Sequence, residues 1–235
     1  MYEYQGLQDV VFLMLYGGVT LLALLACLYL LLRRGNTFVG EEIKSSRVLR
    51  RWTAALMAAI AASHVWWYVI GVYWLADDWL VRTIMVIMLD HITLVPLTMG
   101  VLLAMLQDCR RPLWPWLVAQ SPVVVFAVLG MVHRSEFWGR DIPYYYQLAV
   151  IAVFVTYYIY ALRRYGRWLL DNYADLDRKE VWQSLVFVVV LVAVYTVYTS
   201  NAGEMMREYM SQIISIIIIA FLLWRAETLQ ELEDN

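Results

Sequence analysis

The run Ile213-Ile214-Ser215-Ile216-Ile217-Ile218-Ile219-Ala220-Phe221-Leu222-Leu223 decides the fold. Wound as a helix, it presents apolar groups in every direction. Such a helix is surrounded by lipid or by other helices, whereas a surface helix of a soluble protein keeps one polar face. Val186–Val194 reads the same way. A spanning helix needs about 20 predominantly apolar residues, and the run widens to Tyr209–Trp224. Six further stretches match that pattern: Leu7–Leu32, Trp52–Leu75, Ile84–Leu106, Pro115–Val132, Tyr144–Leu162 and Ser184–Ser200. Together they nearly fill the 235 residues, of which 63% are hydrophobic and 16% charged. The expected fold class is all-α, a polytopic seven-transmembrane-helix bundle with little left over for a soluble domain.

The basic residues orient the bundle, because Lys and Arg collect in short cytoplasmic loops. Between stretches 1 and 2 lie Arg33, Arg34, Lys44, Arg47, Arg50 and Arg51. Arg110 and Arg111 follow stretch 3, and Arg163, Arg164, Arg167, Arg178 and Lys179 follow stretch 5, with Arg225 after stretch 7. The opposite side holds only Arg82, Arg134, Arg140 and Arg207. This asymmetry predicts an N-terminus outside and a C-terminus inside. The net charge of −2 says nothing about partners. The first stretch is no cleavable signal peptide, since its apolar run is too long and the basic residues follow it. Cys27 falls in lipid and Cys109 at the reducing side, so no structural disulfide is expected.

Polar and aromatic groups gather at the predicted outer ends. Stretch 2 begins with small residues, Ala54, Ala58, Ala62 and Ala55, Ala59, Ser63, a spacing that lets helix backbones approach closely. It then reaches His64, Trp66, Trp67, Tyr68, Tyr73 and Trp74. Stretch 5 opens on Tyr144, Tyr145, Tyr146 and Gln147; stretch 6 ends on Tyr195 and Thr196; stretch 7 opens on Tyr209, Gln212 and Ser215. An interfacial aromatic belt accounts for most of the aromatics. It does not account for Gln212, Ser215 or Thr196, which lie deeper.

Asp90 is the sharpest single feature, the only acidic residue well inside a predicted span. A carboxylate in hydrocarbon is costly and marks a bundle interior or a wet cavity. With a rise of about 1.5 Å per residue, Asp90 lies roughly 12 Å below Arg82 and His64 roughly 16 Å below Leu75. The two can meet if stretches 2 and 3 pack side by side. His91 is about 100° round from Asp90, so both cannot aim at one partner. A hydrogen bond that fixes helix packing and a ligand-facing role both remain open. The candidate ligand-binding set is Asp90, His64, His91, Trp67, Tyr145, Gln147, Tyr195 and Gln212.

Several chemistries are set aside. A retinal Schiff base needs a lysine in the last helix, and the only lysines, Lys44 and Lys179, sit in predicted loops. No tight His/Cys/Asp/Glu spacing supports a metal site, and no cofactor is expected. No nucleophile–base signature suggests an enzyme, and nothing points to direct contact with nucleic acid. The partners expected are the lipid bilayer and an unidentified small-molecule ligand.

The connector Arg163–Trp182 is distinctive. Stretch 5 is expected to continue inward as a basic amphipathic helix, with Asp175 and Asp177 opening the next helix, where acidic residues are favoured. Within it, Asn172-Tyr173-Ala174-Asp175-Leu176-Asp177-Arg178-Lys179-Glu180-Val181-Trp182 resembles the segment NYSD-[LT]-E-x-[KR]-[ED]-x-x-W of bacterial seven-helix sensor modules. Those modules precede a histidine kinase or an AraC-type helix-turn-helix domain. Leu89-Asp90 and Pro96 resemble a pattern in their third span. Ala174 and Asp177 depart conservatively from the usual Ser and Glu. The resemblance covers the whole membrane portion in layout and about twenty residues in specific motif. It implies a two-component-type signalling role in the bacterial inner membrane, with Arg167, Asn172, Tyr173, Asp175, Lys179 and Trp182 as connector residues. It names no ligand.

The last stretch also runs on past the interface. Leu222, Leu223, Leu229 and Leu232 continue an apolar pattern to Glu233 without Gly or Pro. Residues 1–225 thus read as the sensor domain and 226–235 as the start of a signalling helix. Such a helix would couple to a cytoplasmic output domain, a partner protein or a second copy of the chain. The alternative is an ion or small-solute carrier using Asp90 as its charged site. No Gly/Pro-broken helix recurs in two halves, which argues against a repeat-built transporter.

Overall fold

The computed structural model describes residues 7–33, 45–70, 78–172, 179–199 and 204–229. They form seven α-helices: α1 (Leu7–Leu32), α2 (Arg47–Tyr68), α3 (Trp79–Ala104), α4 (Trp114–His133), α5 (Ile142–Asn172), α6 (Lys179–Thr199) and α7 (Glu204–Thr228). A π-helical turn, Phe137–Asp141, leads into α5. Among the described residues there is no strand. Among the described residues, five helical segments are long and apolar enough to cross a membrane: Val10–Leu32, Trp79–Ala104, Trp114–His133, Phe137–Asn172 and Tyr209–Thr228. Helix α2 gives its first turns to Arg47, Arg50 and Arg51, which the sequence reading assigned to a loop. Trp182–Ala193 in α6 is a shorter apolar helix.

The solvent of these helices shows in α1. Val19, Ala23, Ala26 and Leu30 form its buried stripe, while Leu21, Leu25, Leu28 and Leu32 stand exposed. Core face and outer face are equally apolar, which suits lipid and not water.

The chain divides into two compact units, residues 1–64 with 186–235, and residues 65–185. In the first, α1 packs along α7. Leu30, Ala54 and Ala226 form a small core, with Cys27, Tyr29 and Leu223 around it. Phe187 stacks on Phe221 at 4.4 Å between ring centroids. The small-residue ladder of α2 does not line a single contact: Ala54, Ala59 and Ala61 are buried, but Ala55 and Ala58 are exposed. Its buried stripe instead runs Arg50, Thr53, Ala54, Met57, Ala61, His64, at the three-to-four spacing of one helix face. The described part of α7 runs to Thr228. Leu229 leaves the helix buried, its carbonyl accepting from the Ser46 backbone N–H at 3.2 Å. Residues 230–235 lie outside the described residues.

In the second unit, α3, α4 and α5 pack together. Asp78 caps α3 by accepting from the Val81 N–H at 3.4 Å, and pairs with Arg134 at 3.1 Å. Arg134 ends α4 with a left-handed backbone, φ 48°. Pro122 cannot donate to the Val118 carbonyl, and the Ser121 hydroxyl donates to it at 2.8 Å. Between α3 and α4, Arg111 pairs with Asp108 at 2.7 Å. Burial opposes that guanidinium's charge, yet the Asp108 hydrogen bond and charge outweigh it and push Arg111 above its ordinary value. Helix α5 is 31 residues long, about 46 Å at 1.5 Å per residue, so it outruns a hydrocarbon core of about 30 Å. The helix thus runs on to Asn172, past the predicted end of stretch 5 at Leu162.

Two glycines set the closest approach in this unit. A Cβ on Gly130 of α4 would fall on the Gly139 backbone of the π turn, and a Cβ on Gly139 would strike the Ile84 side chain of α3. Gly130→Ala therefore forces α4 away from the π turn, at a cost of about 1–3 kcal/mol. Gly18→Ala meets nothing within 4 Å and serves as the control. Thermal midpoints in detergent check the pair: Gly130→Ala falls by several degrees and Gly18→Ala holds or rises. Equal midpoints for the two variants would show that the crossing yields freely.

Candidate functional site

The polar residues inside the helices resolve into separate groups. In unit 65–185, the half-buried Asp90 carboxylate on α3 is held by consecutive tryptophans at the end of α2. Trp66 Nε1 donates to Oδ1 at 3.0 Å and Trp67 Nε1 donates to Oδ2 at 2.6 Å. Neighbouring helix residues diverge by about 100°, so the two indoles flank the carboxylate, one oxygen each. An ionised carboxylate is an acceptor only, and two N–H donors suit its charged form. His91 turns elsewhere, with Nδ1 facing its own helix at the Ile87 carbonyl, 2.7 Å away. Gln147 on α5 is fully buried and shares with Gln120 of α4 a distinction: both amide atoms of each side chain are buried without a hydrogen-bond partner. Tyr145, two residues before Gln147, is 68% exposed. It lies about 200° round the helix from Gln147 and is not gathered with it.

In the other unit, His64 of α2 meets Gln212 of α7, with Nε2 facing Oε1 at 2.9 Å, while Nδ1 faces the Ile60 carbonyl at 2.8 Å. The Tyr16 ring of α1 lies beside it, tilted by 50° with the centroids 4.5 Å apart, and its hydroxyl donates to the His64 carbonyl at 2.6 Å. Both ring nitrogens thus face acceptors. A doubly protonated imidazolium satisfies that arrangement. A neutral ring satisfies it once the Gln212 amide turns end for end and donates to Nε2. The amide can serve either state because each of its ends forms a hydrogen bond. Asp90 and His64, read from the sequence as a pair that can meet, each find partners within their own unit. Tyr195 lies on α6 with its side chain outside the described residues.

The other end of α2 holds a group that sequence reading missed. Arg50 pairs with Glu227 of α7 at 2.6 Å, and the two side chains are 9% and 0% exposed. Its second nitrogen donates to the carbonyls of Arg33 and Leu30 (3.4 Å for Leu30) at the end of α1. One guanidinium therefore ties α1, α2 and α7. A cation suits the C-terminal end of α1 and is disfavoured in the first turn of α2. That misfit was the available signal, since an arginine opening an apolar helix needs an acidic partner elsewhere.

Of the connector residues, Arg167 is exposed on α5, and Asn172 ends that helix, its amide donating to the Trp168 carbonyl at 2.8 Å. Trp182 is 65% exposed. Tyr173, Asp175 and the Lys179 side chain lie outside the described residues. No three His, Cys, Asp or Glu side chains converge among the described residues.

All-helical architecture, lipid-suited outer faces and five membrane-length helices define a multi-pass helical membrane protein. Comparison with family models, curated proteins and solved structures finds no match for this chain.

Proposed function

We propose that this chain is a transmembrane sensor module with seven spans, its N-terminus outside and its C-terminus inside the bacterial inner membrane. It relays an outer-side small-molecule signal to a cytoplasmic output domain or partner. One observation carries the reading: α2 and α7 are tied twice, by His64–Gln212 and by Arg50–Glu227. At 1.5 Å per residue the two ties are about 21 Å apart along α2 and about 22 Å along α7. In the proposed orientation the first tie faces outward and the second inward. A ligand that competes for Gln212 or His64 loosens the outer tie, and α7 carries the displacement to the inner ion pair. The ligand acts only through its different affinities for the two arrangements. The indole donors on Asp90 support a sensor over a carrier, because each carboxylate oxygen already accepts from a fixed N–H instead of standing free for a travelling cation.

The test fuses a reporter output domain after Asn235. Gln212→Leu should change reporter activity about 5- to 150-fold, the range of a typical coupling energy, at unchanged membrane abundance. Wild-type output from both Gln212→Leu and His64→Ala, at normal abundance, ends the sensor reading. Orientation has a native probe in the exposed Cys109. A membrane-impermeant maleimide should reach it only after permeabilisation, and a cysteine placed at position 37 should behave alike. Labelling of either from outside intact cells reverses the topology.

A further inference from the structure

We infer that α3, α4 and α5 hold a neutral hydrogen-bonding molecule among Gln120, Gln147 and His91. Its chemistry is that of water or a small amide- or alcohol-like solute. The inference stands apart from the sensor reading, whose two ties lie in the other unit.

Gln120 is 3% exposed and Gln147 0%. Their two oxygens and two nitrogens are all buried without a hydrogen-bond partner. A buried amide is costly unless satisfied, and a membrane span offers no bulk water to satisfy it. His91 adds a third group. Its Nδ1 faces the Ile87 carbonyl at 2.7 Å, which leaves Nε2 as the ring nitrogen open to a further hydrogen bond.

The three groups lie at similar depth on helices that touch. Ile84, Gly130 and Gly139 mark one level, where α3, α4 and the π turn cross. From there His91 is seven residues along α3, Gln147 eight along the π turn and α5, and Gln120 ten back along α4. Those steps are about 10, 12 and 15 Å. The Tyr146 hydroxyl donates to the Ala119 carbonyl at 2.8 Å, so α4 and α5 lie side by side at that depth. Gln120 continues the buried stripe of Val123, Ala127 and Gly130, and Gly130 is the residue that meets Gly139. His91 follows Ile84 by two turns on the same face of α3. The two amides offer donors and acceptors but no charge, so they match a molecule that both donates and accepts. A buried water makes about three such bonds.

The test is thermal unfolding of the full chain in nanodiscs, as wild type, Gln120→Met, Gln147→Met and the double variant. Met keeps the length and removes the polar atoms. Each single variant should lower the midpoint by about 2–4 °C. The double variant should fall no further than the worse single, because the first substitution already releases the shared molecule. Single variants that match or exceed the wild-type midpoint overturn the inference, since removing an unsatisfied amide then only removes a desolvation cost. Strictly additive losses overturn it too. Acetamide separates the two sources. A rise in the wild-type midpoint that the double variant lacks assigns a solute, and no rise assigns water. If the variants fail to accumulate, water-edited solid-state NMR of the wild type decides. Polarisation transfer to the two glutamine amide groups supports the site, and no transfer together with no acetamide effect overturns it.

Discussion

Glu227→Ala is expected to cost about 3–5 kcal/mol, the scale for breaking a buried ion pair from one side. The variant leaves Arg50 charged and buried, with only neutral acceptors from Ser45, Leu30 and Arg33. Those bonds solvate a guanidinium but do not neutralise it. The loss should appear as a fall in thermal midpoint in detergent and as lower membrane abundance. Arg50→Ala should cost a similar amount by removing the charge paired with the buried Glu227 carboxylate and the donor that closes the end of α1. Arg50→Met with Glu227→Leu should recover much of the loss, because two apolar groups of similar size carry no stranded charge. The interaction energy from this cycle measures the pair itself. A Glu227→Ala loss under about 1 kcal/mol, typical of a surface pair, would show that water reaches the site.

Asp90→Leu is expected to destabilise the protein by about 1–3 kcal/mol for each indole N–H it strands. Two effects oppose each other. Leucine removes the cost of holding a carboxylate at membrane depth, and it removes the acceptor of Trp66 and Trp67. The close bonds at 3.0 and 2.6 Å, both to a charged acceptor, favour the second effect. Asp90→Asn should lose about half as much, because one amide oxygen still accepts while the NH₂ end confronts the other indole. Chemical denaturation followed by tryptophan fluorescence reads both stability and the indole environment. A leucine variant more stable than wild type would show that the indoles do not compensate the carboxylate.

The two predictions also mark where sequence reading stopped. Asp90 was legible because a lone acidic residue inside an apolar run violates the pattern around it. Its partners were not: Trp66 read as interfacial belt, the commoner fate of tryptophan in such a chain, and Trp67 as a ligand-binding candidate and not as a donor to Asp90. Gln212 and His64 stood out for the same reason as Asp90, but pairing them needed the packing of α7 beside α2. Arg50 was counted as a topological charge because a basic residue beside a span has that role by default. Glu227 was hidden in a stretch of good helix formers that read as the start of a signalling helix. The resemblance of the connector to sensor modules rested largely on residues 173–178, which lie outside the described residues.

The sequence by itself determined the all-helical membrane class and, to within a few residues, where most of the helices run. Both follow from local hydropathy and backbone hydrogen bonding, which a helix satisfies within its own segment. Tertiary structure alone decided which polar groups meet. Where a helix is apolar all round, as α1 is, periodicity does not say which face turns inward. Close contacts such as Gly130 on Gly139 and single polar pairs such as Arg50–Glu227 choose the neighbours instead.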